Sequence, residues 1–402
     1  MTLWVNTIDD ARDIMNRESA SSVLACSFMS VGFFASLIAP ASILPLLMTE
    51  FDVTSTAAGL SISAVYAGWL LFQLPTGYLI DRVEIGSLMT VSVSLFIGAV
   101  LAGTGMNGYP SFLFSRFVAG ITGGVLFTAS NQVVGEAVPV RHRGKAVTVF
   151  TASAPVGFLF GQVGSPLIAE RYGWSVVFPI FALITLVGYF LFRRLSGEHA
   201  ADTQSISLRG FFRTLSDRTV LLVSLAAFCT NSMYLFLNSW IPTFAADVHS
   251  LPLASAGGIA ALIPLMAIVA RPSGGWLSDR LGHRRRPVVI VSFLLSVPVF
   301  ALLVKLVDET GFAVLLLTGG FGLQLAAGLY FTYVQELVPA NVTGTSLSVL
   351  TTFTVGGAFI APIPGGWLIT GFSWYVACLA NALLGVVGTV AMVVVTESAG
   401  VG

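Results

Sequence analysis

Long apolar stretches separated by short polar segments run through the whole sequence. A helix that spans a membrane needs about 20 mostly apolar residues. Twelve windows meet this condition: 23–48, 57–79, 87–106, 111–135, 146–168, 174–192, 219–244, 255–278, 288–305, 311–337, 345–369 and 374–396. The pattern predicts an all-α membrane protein with twelve spanning helices.

Proline occurs inside several of these windows. A spanning helix tolerates proline when neighbouring helices satisfy the backbone groups that it frees. The prolines are Pro40, Pro45, Pro155, Pro166, Pro264, Pro298, Pro362 and Pro364.

The composition supports a membrane location. Of 402 residues, 55% are hydrophobic and only 9% are charged, whereas soluble domains carry about 25% charged residues. The 19 basic and 19 acidic residues balance, so the net charge gives no indication of a nucleic-acid partner. The three cysteines all lie in apolar stretches without the spacing of a disulfide or metal framework. We therefore expect membrane lipids as surroundings and no cofactor.

The basic residues predict the orientation. With the N-terminus in the cytoplasm, the inside segments hold 15 lysines and arginines and the outside loops hold two. Cytoplasmic loops carry such an excess, so we expect both termini inside, in a multi-pass protein of the plasma membrane. The predicted divisions are a tail (1–22), a six-helix bundle (23–192), a cytoplasmic linker (193–218), a second bundle (219–396) and a tail (397–402).

The two predicted bundles repeat each other. "TGYLIDR" ends at Arg82 and "GGWLSDR" at Arg280, an offset of 198 residues. "EAVPVRHRG" and "ELVPANVTG" place Glu136 and Glu336 at an offset of 200. Motifs that recur in the same order indicate an internal duplication, and parallel six-helix repeats place a substrate site at their interface.

By these motifs the sequence resembles the major facilitator superfamily. Its loop signature, G-x-x-x-D-R-x-G-x-R-R, is matched by Gly275, Asp279, Arg280, Gly282, Arg284 and Arg285. The first-half copy keeps Gly77, Asp81 and Arg82 but lacks the basic cluster. A second pattern, R-x-x-x-G in the fourth helix, is matched by Arg116 and Gly120. The resemblance implies transport by alternating access, in which the two halves rock about a central site.

The loop residues are interpreted as a conformational latch. Asp81 and Asp279 end the second and eighth helices, where a carboxylate can cap the positive N-terminus of a helix in the opposite half. The alternative is that these loop charges only set the topology. The gating candidates are Gly77, Asp81, Arg82, Gly275, Asp279, Arg280, Arg284, Glu136, Arg143, Glu336 and Arg116.

Arg271 is the main candidate for substrate binding. It precedes Asp279 by eight residues, which places it about 12 Å from the cytoplasmic end of its helix and close to the midplane. An arginine at that depth costs about 2.5–3.5 kcal/mol on insertion scales and indicates function by default. The alternative is a structural role, in which backbone carbonyls or a helix C-terminus pair with Arg271.

The corresponding position in the first half is Gln73. The region "ARPSGGWLSDR" resembles the nitrate/nitrite porter family, in which an arginine from the second helix and another from the eighth clamp a small planar anion. Because Gln73 replaces the second-helix arginine, a site with one arginine is the better description.

Titratable groups are absent from the middle of the predicted spans. All 19 acidic residues fall in tails, loops or helix ends, and the four histidines lie in loops. Proton-coupled carriers usually use an intramembrane carboxylate or histidine. The sequence therefore favours exchange or facilitated passage of anions.

Other candidates come from the resemblance, because helices one, four, seven and ten line the cavity in this superfamily. It promotes Asn131, Asn238 and Tyr330 as substrate-binding residues beside Arg271 and Gln73. For Arg116 we favour a structural and gating role.

The sequence thus predicts a transporter, expected as a monomer, for a small anion. The main alternative is an exporter of drugs or metabolites with an apolar cavity, and a third is a membrane sensor or scaffold. No pattern in the sequence indicates an enzyme.

Overall fold

The structure, a computed structural model, describes residues 17–80, 82–105, 108–138, 140–195, 217–305, 308–338 and 342–395. Within these ranges the chain is helical and forms no strand. Twelve helical segments are long and apolar enough to cross a membrane, which confirms the predicted number and the all-α class.

We number the spans first to twelfth in chain order. Five of them consist of two helices separated by a one-residue break or a short turn, and several of these breaks lie beside a proline or glycine. The helices are Arg17–Ser42 with Leu44–Phe51, Ser55–Ile80, Ile85–Gly105, Tyr109–Glu136, Val140–Thr151 with Ser153–Tyr172, Trp174–Leu195, Arg218–His249, Leu253–Ala260 with Leu262–Arg280, Arg285–Leu302, Glu309–Leu325 with Leu329–Leu337, Thr343–Ile360 with Pro362–Gly371, and Trp374–Val394.

Four spans form the centre of the bundle. The most apolar windows of the first, fourth, seventh and tenth spans are 78%, 61%, 72% and 56% buried, whereas no other span exceeds 50%. The remaining spans expose large apolar side chains such as Leu71 and Leu183, as lipid contact requires. The same three-span period in both halves agrees with the internal duplication.

Glycines bring paired spans into backbone contact in both halves. A Cβ on Gly120 of the fourth span would collide with the carbonyl of Val65 in the second. In the second half, a Cβ on Gly320 of the tenth span would lie 2.7 Å from the carbonyl oxygen of Ile263 in the eighth. Small residues permit such close approach of spanning helices, and here they fix the second and eighth spans against the central ones.

We call the side of the bundle that holds residues 17 and 394 the terminal side, and the opposite side the far side. On the far side the two halves pack tightly. A Cβ on Gly59 of the second span would lie 2.8 Å from the carbonyl oxygen of Pro362 in the eleventh, and one on Gly366 would lie 2.8 Å from that of Ser55. The far side is therefore closed.

Candidate intramembrane anion site

Arg271 contributes the guanidinium of the candidate site and lies within the eighth span, nearer its terminal-side end at Arg280 than its far-side start at Leu253. Its Nε donates to Oε1 of Gln324 in the tenth span at 2.9 Å, and its Nη1 donates to the carbonyl oxygen of Thr151 in the fifth span at 3.1 Å. Its Nη2 makes no hydrogen bond within the described part of the chain. The side chain is only partly buried. One nitrogen of the guanidinium thus has no hydrogen-bond partner among the described residues.

The oxygen of Gln324 fixes the guanidinium from within its own half. Gln324 is 2% exposed and lies on the central tenth span. A guanidinium is a planar fork of donors that matches a carboxylate. With Nε held by Gln324, the edge that carries Nη2 is left for an acceptor that comes from outside the protein.

A cluster of aromatic rings spans the two halves, and Tyr234 links this cluster to Arg271. Tyr234 of the seventh span interacts electrostatically with Arg271 and stacks on Phe158 of the fifth span, with ring centroids 6.1 Å apart and planes 7° apart. Its hydroxyl is buried without a hydrogen bond among the described residues. Phe34, Trp69 and Phe127 continue this cluster.

Two hydrogen bonds, from Gln162 and from Ser63, join the first half to the second and close the far side. The hydroxyl of Ser42 donates to Gln162, and Nε2 of Gln162 donates to the carbonyl oxygen of Asn238 in the other half at 2.7 Å. The hydroxyl of Ser63 donates to the carbonyl oxygen of Phe359 at 2.8 Å. Because Gln162 is fully buried, this contact excludes water from the far side in this state.

Arg116 has surroundings of a different kind. Its Nε, Nη1 and Nη2 donate to the carbonyl oxygens of Ser61, Ser36 and Leu37 at 3.2, 2.9 and 2.6 Å. The residue is 3% exposed. Each nitrogen is occupied by backbone, so the guanidinium joins the fourth span to the first and second.

On the terminal side, Arg285 joins two of the candidate gating residues. Its Nη1 donates to Asp279 at 3.1 Å, and its Nη2 donates to Glu336 at 2.9 Å. Asp279 also faces Nδ1 of His283 at 3.2 Å. Within the described chain these partners of Asp279 both belong to the second half, so in this state the carboxylate is bound within its own bundle.

The remaining gating candidates lie around the same surface. Arg280 lies 4.0 Å from the ring centre of Trp276, and Arg82 lies 4.4 Å from that of Tyr78, so both halves place this arginine over an aromatic ring. Nε of Arg143 donates to the carbonyl oxygen of Gly135 at 2.7 Å.

Five further positions complete the gating set. Glu136 accepts from Gln132 at 2.7 Å, and the carbonyl of Arg284 accepts from Ser278 at 3.1 Å. Gly77 is partly buried. Gly275 faces open space, and Asp81 lies outside the described residues.

Comparison with known proteins agrees with this architecture. The sequence profile of the Major Facilitator Superfamily matches residues 24–362. The chain belongs to this superfamily. It is therefore a transporter and not an enzyme.

Two curated relatives and one solved structure resemble this superfamily member. The hexuronate transporter of Bacillus subtilis (strain 168) is 26% identical over 363 residues, which cover 82% of this chain and 81% of that protein. The probable anion transporter 4, chloroplastic, of Oryza sativa subsp. japonica is 26% identical and covers 87% of this chain and 63% of that protein. The fold matches the inward-facing, unoccupied structure of a bacterial homologue of the human lysosomal transporter Spinster, with a TM-score of 0.76, 16% identity and coverage of 94% and 95%.

The residues predicted to bind substrate together with Arg271 lie in different environments in the structure. Asn131 is exposed on the fourth span. The Oε1 of Gln73 accepts from Nε1 of Trp69 on the same helix at 3.0 Å. Asn238 is fully buried in the far-side contact, and the hydroxyl of Tyr330 is buried against that of Thr230 at 2.6 Å. In this state Arg271 and Asn131 present polar groups to the outside of the packed core, whereas Asn238 and Tyr330 do not.

The sequence prediction missed three polar partners. Gln324 and Gln162 are uncharged residues within apolar windows, and an intramembrane amide was a signal that could have found both. The carbonyl of Thr151 carries no side-chain signal, although Pro155 four residues later was a sign that this backbone oxygen lacks its helical donor.

Proposed function

We propose that this protein carries a small anion across the plasma membrane by alternating access, with the terminal side in the cytoplasm. The anion binds at Arg271, and the observation that carries the proposal is the partly buried arginine within the eighth span whose Nη2 has no hydrogen-bond partner in the described chain. Since an arginine at this depth is costly to insert, an open donor edge there supports a role in binding.

The contrast with Arg116 argues against the exporter alternative, in which Arg271 would only stabilise the bundle. A structural arginine in this chain is buried, and all its nitrogens donate to backbone carbonyls. Arg271 is more exposed and shares only Nε and Nη1 with protein acceptors.

The chemistry of the site favours an anion with a carboxylate or similar planar group. Arginine binds such groups through two parallel hydrogen bonds. The names of two relatives, a hexuronate transporter and a probable anion transporter, agree with this class, since a hexuronate carries one carboxylate. One arginine, with Gln73 in place of a second arginine at the symmetric position, favours a singly charged group over a clamp of two arginines.

Exchange is the proposed mode of transport. A positive site in the middle of the membrane must be neutralised before the halves rearrange around it. In the described spans no carboxylate lies beside Arg271, so the anion itself supplies the charge.

Counterflow in proteoliposomes tests the proposal. Vesicles loaded with unlabelled D-glucuronate, phosphate or nitrate are given the labelled form of the same anion. We expect accumulation of at least one of them by the wild type and a loss of at least about tenfold in Arg271→Ala, the equivalent of about 1.4 kcal/mol in binding.

The matched control is Arg171→Ala, which removes an exposed arginine at the far end of the fifth span. We expect it to transport as the wild type does. Full counterflow by Arg271→Ala would overturn the proposed function.

A further inference from the structure

The carbonyl of Thr151 occupies a break in the fifth span. The helix Val140–Thr151 ends there, and the next helix begins at Ser153. In a continuous helix this oxygen accepts the N–H of the residue four positions later. That residue is Pro155, which has no N–H. The proline therefore leaves a carbonyl oxygen without its helical donor inside the bundle.

The missing donor comes from the other half of the molecule. Nη1 of Arg271 donates to the Thr151 oxygen at 3.1 Å, while Nε of the same guanidinium donates to Gln324 in its own half at 2.9 Å. A buried carbonyl without a partner is costly, and a hydrogen bond from a charged donor is stronger than one between neutral groups. The guanidinium is thereby attached to both halves at once.

The internal repeat supplies a control within the same chain. The equivalents of Thr151, Pro155 and Arg271 are Thr351, Val355 and Gln73, at offsets of 200, 200 and 198. The helix Thr343–Ile360 runs through Thr351 without a break, because Val355 has an N–H to donate.

Gln73 in turn accepts from Trp69 on its own helix. Two departures from the repeat, Pro155 and Arg271, therefore meet in one hydrogen bond. The symmetric pair of spans has neither the arginine nor the freed carbonyl.

We propose that Pro155 is a positioning residue of the anion site, because it frees the carbonyl that anchors Arg271 to the first half. The inference rests on the proposed function for the identity of the ligand, whereas the tie between the halves exists without any anion. An anion that binds the open edge of Arg271 is then held by a group that contacts both halves. Binding is thereby linked to their relative movement.

A double-mutant cycle without added anion tests the tie. Pro155→Val restores the N–H found at the symmetric position, and Arg271→Gln restores the symmetric side chain. The reporter is Ser63→Cys, a 1% exposed position in the far-side contact, labelled with a membrane-impermeant maleimide. The native cysteines Cys26, Cys229 and Cys378 are buried, so the background is low.

In the presence of Arg271 we expect Pro155→Val to raise the labelling rate about three- to tenfold, since loss of one partly buried hydrogen bond weakens the far-side-closed state by that order. In the Arg271→Gln background the same substitution is expected to have no effect, because the donor is already gone. Pro298→Val, in a helix of the ninth span, controls for removal of a proline and is expected to leave labelling unchanged.

A second measurement separates this inference from the proposed function. Pro155→Val is expected to weaken D-glucuronate, phosphate or nitrate binding at least about threefold, whichever of them the wild type binds, with no such effect in Arg271→Gln. Equal effects of Pro155→Val on labelling in both backgrounds, or none in either, would overturn the positioning role. Coupling between the two sites without any anion transport would instead overturn only the proposed function.

Discussion

Two arginines lie within the membrane spans, and their hydrogen bonds distinguish them. Arg116 donates to carbonyls of two neighbouring spans in its own half. Arg271 donates to one amide of its own half and one carbonyl of the opposite half. The first arrangement stabilises one bundle, whereas the second lies where the two bundles meet.

Replacing Arg116 is therefore expected to affect stability more than substrate binding. Arg116→Gln leaves three buried carbonyls with fewer donors, and the loss of charged hydrogen bonds lowers the free energy of unfolding by about 3 kcal/mol. The measurement is the thermal midpoint of unfolding in detergent, with the exposed Arg171→Gln as the control. If Arg116→Gln were as stable as the control but bound no anion, Arg116 would be a ligand.

At the residue scale, the sequence identified charges but not their partners. Arg116 and Arg271 were found because a charge stands out in an apolar window. Their different roles depend on carbonyls brought in from other spans, such as those of Leu37 and Thr151, and these contacts depend on packing rather than on local sequence. Asn238 shows the same limit, since its burial against Gln162 follows from the closed far side.

At the scale of elements, glycines at the two ends of the eighth span have opposite surroundings. Gly257, near the far side, lies against the fifth span, where an added Cβ would lie 2.7 Å from Cγ of Pro166. Gly275, near the terminal side, has no atom within 4 Å of that position. The eighth span thus packs closely on the fifth span near the far side, whereas its face at Gly275 is open near the terminal side. A span with one such open face is suited to rocking.

This asymmetry predicts that replacing glycine by alanine changes far-side labelling at Gly257 but not at Gly275. Gly257→Ala obstructs closure of the far side, so we expect faster maleimide labelling of the Ser63→Cys reporter. Gly275→Ala is expected to leave this labelling rate unchanged, because the added methyl meets open space in the far-side-closed state. Slower labelling in Gly257→Ala than in Gly275→Ala would contradict the assignment of the closed side.

The span boundaries were largely predictable, because hydropathy acts over whole helices. The window 174–192, for example, became the helix Trp174–Leu195. The breaks were not located in advance. Proline marks several of them, but helices also continue through Pro179 and Pro298, so the position of a break depends on which neighbour offers a replacement donor.

For the whole molecule, the duplication predicted the arrangement of spans, and departures from it indicate function. The loop network is one such departure, since Arg285 joins Asp279 and Glu336 in the second half, whereas in the first half Glu136 binds Gln132. The contact of Pro155 and Arg271 is another. Both depend on an arginine of the second half, Arg285 or Arg271.

The distribution of carboxylates leads to the last prediction, that transport does not depend on a proton gradient. Among the described residues the acidic side chains lie at or beyond the ends of the spans, as Glu136, Glu170 and Glu336 do, and none contacts Arg271. No group at mid-depth is thus placed to exchange a proton with each cycle. Anion counterflow is therefore expected to be the same with and without a protonophore, at equal pH on both sides and under a pH gradient. Arg171→Ala serves as a functional control in the same vesicles. A requirement for the pH gradient would show that protons move with the anion and would exclude simple exchange at Arg271.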